Sequence, residues 1–268
     1  MEKPNLSAKW EKLNETCSKH PNSNLVKLPN GSILCPICQN QKLENKKLAF
    51  DKEQSQNINR NFLKRYSIID DKANLKKSFE NFNSQQGTKE DELKTEARKI
   101  AGIYFKYPTK NFNTIFFGTS GAGKTHLASA IVNVVNEYAD PAFKCLMLNT
   151  NTMYNQIKAS YSNQRHSITK DQVLDLVGQS NLVLLDDLGT ESTMRKAKRE
   201  ANEDFQNLLY DILGKCKRLI ITTNLSLEEL GQVYDIKLIS RLRENSTKSI
   251  LDFSNIEDKR PNLEYYQH

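Results

Sequence analysis

The sequence lacks any long apolar run. Apolar residues make up 37% of its 268 positions, and no stretch approaches the roughly 18 apolar residues that a membrane-spanning helix needs. The first residues after Met1 are polar, without the apolar region of a secretory signal. Ten Tyr and 11 Phe remain to build a core, so a fully disordered chain is excluded. We expect a soluble, cytoplasmic protein with no membrane partner.

Cysteine is scarce, and the sequence has no internal repeat. The five cysteines are an odd number in a chain far too long for a disulfide-stapled mini-protein. The cytosol keeps thiols reduced, so a disulfide framework is excluded. The cysteines are therefore either metal ligands or buried thiols. Cys145 and Cys216 lie inside or beside predicted strands, which favours buried thiols for these two.

The excess of positive charge is confined to the first part of the chain. Residues 1–113 hold 21 Lys and Arg against 13 Asp and Glu, whereas residues 114–268 hold 18 against 19. The net charges of +8 and −1 add up to the total of +7. The basic front is either the binding surface for an anionic partner or a solvated arm, and composition does not decide between them.

Short apolar runs alternate with helical patterns from Thr114 onward, which predicts an α/β fold with a parallel sheet and crossover helices. The predicted strands cover residues 114–117, 143–148, 182–185, 219–223 and 249–253. Ahead of them, the pattern of Leu93, Ala97, Ile100 and Tyr104 predicts a helix. The segment 41–66, free of Pro and Gly and rich in Lys and Arg, predicts an exposed basic linker helix.

A phosphate-binding loop follows the first predicted strand. Residues 118–125 fit G-x-x-x-x-G-K-[ST] and precede a predicted helix over 126–137. Glycine-rich backbone and a helix N-terminus together attract phosphate. We expect Lys124 to reach the β- and γ-phosphates of ATP and Thr125 to hold Mg²⁺. The predicted nucleotide-binding residues are Gly118, Thr119, Ser120, Gly121, Ala122, Gly123, Lys124, Thr125 and Asp186.

Polar side chains follow two later predicted strands. Asp186 and Asp187 end one strand and predict a Mg²⁺ ligand and a residue that polarises the attacking water, although Asp187 could instead cap a turn. Asn224 ends the next strand and could orient that water. Arg241 lies beyond it and could serve the γ-phosphate of a neighbouring subunit, with an ordinary surface arginine as the alternative.

The front of the chain predicts a structural metal site. Cys17-x2-His20 is followed by Cys35-x2-Cys38, and two such pairs suit tetrahedral Zn²⁺. The intervening residues can turn at Asn30-Gly31. Four protein ligands leave no open position, so the zinc would replace the core that residues 1–40 cannot build.

The order of these motifs resembles the AAA+ ATPases, and more closely the DnaC/DnaI helicase loaders and the related IstB transposition helpers. The resemblance covers residues 67–260. It rests on the sequences of residues 123–128, 185–191 and 222–225 and on Phe79-Glu80-Asn81-Phe82. It implies a sheet of order 5-1-4-3-2, with ATP and Mg²⁺ bound between self-associated subunits. It also implies Lys124, Asp187, Asn224 and Arg241 as the catalytic set.

The resemblance implies a helicase loader that delivers a replicative DnaB-type helicase to single-stranded DNA. A metal-stabilised front module resembles the DnaI type and favours this interpretation over an IstB-like transposition helper. Asp187 stands where most AAA+ proteins have Glu, so hydrolysis is expected to be slow. An ATP-binding adaptor or inhibitor with little turnover is therefore a third possibility.

The expected organisation is a zinc-binding helicase-interaction module over 1–40, the linker helix over 41–66 and an AAA+ domain over 67–268. We expect no helical lid after the fifth predicted strand, and Arg260 is a weak candidate for the sensor 2 arginine. For single-stranded DNA we consider the segment from Asn151 to Arg165, where Tyr154, Lys158 and Tyr161 offer stacking and charge.

Overall fold

The computed structural model describes residues 10–162, 167–189, 203–244, 246 and 249–258. The chain divides into two compact units, with the boundary between Ser55 and Gln56. Each unit is described separately.

The first unit is built on a small antiparallel sheet. Strands β1 (Glu11–Cys17) and β2 (His20–Lys27) form a hairpin, and β3 (Ile33–Leu34) pairs with β2. Gly31, with a φ of 82°, closes the turn before β3, where its N–H donates to Leu28 O at 2.9 Å. Within residues 10–55, the buried apolar side chains are only Cys17 and Cys35. An apolar core alone does not hold this unit together.

A long helix, α1 (Pro36–Tyr66), follows β3, and the boundary between the two units lies within it. It begins five residues before the predicted linker helix and ends at the same residue. Proline is favoured at the first position of a helix, where its missing N–H costs nothing. Most of the helix up to residue 58 is exposed, whereas Phe62 and Leu63 are buried in the second unit.

The second unit is a five-stranded parallel sheet covered by helices on both faces. Its strands are β4 (Asn113–Phe117), β5 (Cys145–Asn149), β6 (Leu182–Leu188), β7 (Leu219–Thr223) and β8 (Ile250–Asp252). They lie in the order β5-β6-β7-β4-β8. Numbered within the sheet, this is the predicted 5-1-4-3-2, so the predicted fold class is confirmed.

The described helices of this unit follow the strands in the crossover pattern. They are α2 (Lys89–Lys106), α3 (Lys124–Tyr138), α4 (Thr150–Ser160), α5 (Lys170–Gln179), α6 (Glu203–Lys215), α7 (Leu227–Val233) and α8 (Ile236–Leu242), with a 3-10 helix over Lys72–Lys76. Alternate strand residues face opposite layers: Leu184 packs with α2 and α3, and Leu185 packs with α4 to α8. Because the strands are parallel, the carboxyl ends of β4 and β6 and the start of α3 lie at the same edge of the sheet, and the candidate site lies there.

Candidate nucleotide-binding site and metal cluster

The phosphate loop leaves β4 and enters α3 through three glycines with positive φ. Gly118, Gly121 and Gly123 have φ values of 122°, 74° and 91°, a region that side chains other than glycine rarely adopt. A Cβ at Gly118 would overlap the backbone N of Ser254, and a Cβ at Gly123 would come within 2.6 Å of the Phe82 ring. Both the conformation and the close packing require glycine here.

Lys124, at the start of α3, spans the site. Its Nζ donates to Gly118 O at 2.7 Å, to Thr119 O at 2.6 Å and to Asn224 Oδ1 at 2.8 Å. The side chain is buried. The structure therefore brings the predicted lysine and the predicted water-orienting amide into direct contact, because β7 lies between β6 and β4.

Asp186 at the end of β6 accepts two hydroxyl hydrogen bonds on Oδ1. Thr125 Oγ1 donates at 2.8 Å and Thr222 Oγ1 at 2.6 Å. Burial, only partly offset by these hydroxyls, raises the pKa of Asp186 to about 6. In proteins, a hydroxyl oxygen and a neighbouring carboxylate oxygen commonly act as Mg²⁺ ligands beside nucleotide phosphates. Thr125 and Asp186 therefore fit that ion.

Asp187 is placed by a break in the strand. The register of β6 against β7 shifts between Leu185 and Leu188, and Asp187 has a φ of 64°. Its backbone N–H donates to Thr222 Oγ1 at 2.9 Å, and its Oδ1 accepts from Asn224 Nδ2 at 3.1 Å. A left-handed non-glycine residue is strained and is often found at functional sites. Asp187, Asn224 and Lys124 thus form one chain of contacts.

Arg241 lies elsewhere. On α8, its guanidinium carbon stands 4.0 Å above the centre of the Tyr210 ring, and its carbonyl O accepts from Asn113 Nδ2 at 3.1 Å. Asn113 begins β4, at the end of the sheet opposite the phosphate loop. The structure therefore does not bring Arg241 to the phosphate loop of its own chain.

The segment before α2, residues 78–82, packs against the phosphate loop and the start of α3. Phe82 packs against Gly123 and meets the His126 ring edge-on at 5.1 Å. His126 Nε2 lies 2.7 Å from Asn81 Oδ1 and 3.0 Å from Ser78 O, and burial lowers the pKa of His126. No role was predicted for His126. Its only sequence signal was its position directly after the lysine and threonine of the loop.

The four predicted zinc ligands converge in the first unit. Cys17 and His20 flank the β1-β2 turn, Cys35 precedes α1 and Cys38 lies in its first turn. Cys17 Sγ and Cys38 Sγ are 3.7 Å apart, and His20 Nδ1 lies 3.8, 3.7 and 3.3 Å from the sulfurs of Cys17, Cys35 and Cys38. A tetrahedron with Zn–S bonds of about 2.3 Å has edges of about 3.8 Å. The cluster therefore has the dimensions and the chemistry of a structural zinc site.

The thiols do not ionise independently. A backbone N–H of Cys38 lowers the pKa of Cys35 to about 6, while desolvation and the other two sulfurs raise the pKa of Cys38 to about 11. A dication among them would stabilise all three thiolates together.

The predicted stacking of single-stranded DNA on Tyr154 is wrong. Tyr154 is buried against Phe205, with ring centres 5.0 Å apart, because α4 turns this face toward the sheet. Lys158 lies over the Tyr154 ring, whereas Tyr161 is exposed. Arg165 and Arg260 lie outside the described residues.

The remaining predicted residues are three residues of the phosphate loop and the two cysteines outside the metal cluster. Thr119, Ser120 and Ala122 lie in the phosphate loop. Cys145 is fully buried and burial strongly raises its pKa, and burial raises the pKa of Cys216 to about 12. Both thiols lie outside the metal cluster.

The fold and this site define a P-loop ATP-binding domain of the AAA+ class. Residues 41–244 match the family described as IstB-like ATP binding protein, and the chain belongs to that family. The matched range begins after the last residue of the metal cluster.

Two curated relatives are initiators or loaders of replication. The chain is 26% identical over 174 residues to the replicative helicase loader DnaC of Buchnera aphidicola, covering 62% of this chain and 63% of that one. It is 27% identical over 196 residues to the chromosomal replication initiator DnaA of Spiroplasma citri, covering 72% of this chain and 41% of that one. The match thus spans less than two thirds of the length of either relative.

Solved structures share the fold at lower identity. A DnaC helicase loader structure superposes with a TM-score of 0.53 at 18% identity, over 70% of this chain and 100% of that one. A DnaI structure gives 0.53 at 18%, over 75% and 99%. A DnaA structure bound to AMPPCP and single-stranded DNA gives 0.51 at 18%, over 70% and 51%. Among the described residues, no helix has the length and apolar character needed to cross a bilayer.

Proposed function

We propose that this protein is an ATP-dependent loader that delivers a hexameric, DnaB-type replicative helicase to single-stranded DNA in the cytoplasm. The contact chain from Lys124 through Asn224 to Asp187 carries the proposal, because it links the phosphate-binding lysine to the groups that would position water. Family membership and the likeness to DnaC and DnaI support the choice of a loader.

Each residue has a distinct task in the proposed ATPase. Lys124 and the backbone N–H groups of the loop bind the phosphates, and Thr125 and Asp186 hold Mg²⁺, which neutralises phosphate charge. Asp187 and Asn224 orient the attacking water. Asp187 is one methylene shorter than Glu, so the chemical step is slow and ATP binding itself acts as the switch.

Arg241 acts on a neighbouring subunit. Its position away from its own phosphate loop suits a residue that completes the site of the next copy in an assembly around the helicase. ATP then links Lys124 of one copy to Arg241 of the next, so that the nucleotide state controls self-association.

The front of the chain supplies the helicase contact. In this proposal residues 1–40 form the zinc-binding interaction module, the part of α1 over 41–66 is the linker, and 67–268 is the ATPase domain. The excess positive charge of the front belongs mainly to the surface of this adaptor arm, and single-stranded DNA is bound by the ATPase domain.

The test is binding of the host helicase by the full-length chain with Mg²⁺ and ATP, measured by analytical gel filtration. Cys35→Ser with Cys38→Ser should abolish complex formation, whereas Cys216→Ser, outside the cluster, should retain it. A wild-type chain that holds zinc but forms no complex refutes the docking role. Single-stranded DNA should be required for release in the presence of ATP.

Two other functions fit particular observations. The family description fits an IstB-like transposition helper, which predicts ATP-dependent filaments on duplex DNA without helicase binding. The short acid at Asp187 fits an adaptor or inhibitor, which predicts ATP binding without turnover. ATP hydrolysis by the wild type, Lys124→Ala and Asp187→Asn, with and without single-stranded DNA, separates these cases.

A further inference from the structure

The chain after β8 crosses the phosphate loop as a short strap, residues 253–258. Its backbone approaches Gly118 so closely that a Cβ there would overlap Ser254 N. Thr119 Oγ1 donates to Ser254 O at 2.9 Å. Phe253 is fully buried and Ile256 is nearly so, and the Ile256 N–H donates to Phe253 O at 3.3 Å. Core packing therefore fixes the strap against the loop.

The strap places a carboxylate on the middle of the loop. The three heavy atoms nearest to where a Cβ of Gly121 would stand are Oδ1, Cγ and Oδ2 of Asp258. An acid therefore touches the backbone of the loop whose N–H groups, together with Lys124 and the α3 N-terminus, attract anions. An anion of the same chain therefore lies against the backbone of a loop whose composition suits phosphate binding.

We propose that Asp258 is a built-in competitor of nucleotide phosphate that holds the loop in the nucleotide-free state. The inference rests on the proposed nucleotide binding. A polyphosphate entering the loop meets a like charge and must displace Asp258, which lowers the affinity for nucleotide. Because the strap carries Asp258, a movement of the strap away from the loop would also change the affinity of the loop for ATP.

An alternative role for Asp258 would have the opposite effect on nucleotide affinity. A carboxylate that accepted a hydroxyl of the bound ribose would strengthen nucleotide binding, and its removal would weaken it. Affinity measurements on Asp258 variants therefore distinguish the two roles by direction.

The experiment measures binding of ATP, ADP and adenosine to the full-length protein by isothermal titration calorimetry. Asp258→Asn and Asp258→Ala should each tighten ATP by about tenfold, or about 1.4 kcal/mol, and should leave adenosine unchanged. The matched control is Glu257→Gln, which removes the neighbouring charge and should not change ATP affinity. The gain should shrink as salt rises, because screening weakens the repulsion.

Three results have different meanings. Unchanged or weaker ATP binding by both Asp258 variants overturns the competition, and so does equal tightening by Glu257→Gln, which would indicate a general charge effect. If the wild type and every variant fail to bind ATP, the proposed nucleotide binding itself fails. Thermal unfolding of each variant without nucleotide confirms that the exposed substitution leaves the fold intact.

Discussion

Lys124 Nζ donates to Asn224 Oδ1 at 2.8 Å, across 100 positions of sequence. Asn224 also donates through Nδ2 to Asp187 Oδ1 at 3.1 Å. One amide therefore connects the cation that would bind phosphate to the carboxylate that would position water. If Lys124 turns to a γ-phosphate as proposed, it releases the Asn224 amide on one side, and phosphate binding and the position of Asp187 would then be coupled.

This coupling predicts that Asn224→Ala separates binding from turnover. The variant keeps Lys124 and the loop, so its Kd for ATP should change less than about threefold, whereas its kcat should fall at least about tenfold, within the range for loss of one positioning group. Fluorescent nucleotide titration and steady-state phosphate release measure the two quantities. Lys124→Ala serves as the reference, because it should lose binding itself. A loss of binding by Asn224→Ala as large as that of Lys124→Ala contradicts the separation.

The buried carboxylate of Asp186 predicts an unusual pH dependence of stability. Its pKa is raised to about 6 from 3.8, chiefly by burial, so the folded state holds this proton at pH values where the unfolded chain has released it. The stability contributed by the protonated form is complete below about pH 4 and is lost as pH rises through 6. Ionised Asp186 therefore costs the nucleotide-free protein up to about 3 kcal/mol above pH 7.

Asp186→Asn should remove that cost. Its free energy of unfolding should exceed that of the wild type by about 1–3 kcal/mol above pH 7, and the difference should vanish near pH 4. Urea unfolding across this range without Mg²⁺ measures it. Asp175→Asn, an exposed change on α5, controls for charge. A gain that is constant with pH would show that packing, rather than ionisation, changed.

Motifs that are local in sequence predicted much of the site. Gly118 to Thr125 and the acids of β6 could be assigned because a strand end and a helix start each place their own residues. The contacts of Thr222 and Asp258 depend on strand register and on the path of the chain after β8, which no local pattern contains. Tyr154 was misassigned because its exposure depends on which face of α4 meets the sheet.

The metal cluster predicts one bound zinc per chain. Residues 10–55 bury little apolar surface, so a bound zinc ion would supply most of the folding energy of this unit. Cys38→Ser should lower the zinc content from about one equivalent to near zero, and Cys216→Ser should leave it unchanged. Atomic absorption on the purified protein measures the content. Full zinc in Cys38→Ser would mean that the metal is held elsewhere.

The contact of Phe82 with Gly123 predicts that the segment before α2 controls the shape of the phosphate loop. Phe82 is buried, and its ring fills the space that a Cβ of Gly123 would need. Phe82→Ala should lower the free energy of unfolding by about 3 kcal/mol and weaken ATP binding, because the loop loses its support.

Gly123→Ala has two separable costs. One is the overlap with Phe82, and the other is the φ of 91°, which a residue with a Cβ adopts only with strain. In the Phe82→Ala background the overlap is removed, so Gly123→Ala should destabilise the protein by about 1 kcal/mol less than it does in the wild type. Thermal and urea unfolding of the four proteins complete the cycle. Additive effects would show that backbone conformation alone requires glycine at 123, and that Phe82 supports the loop without touching this position.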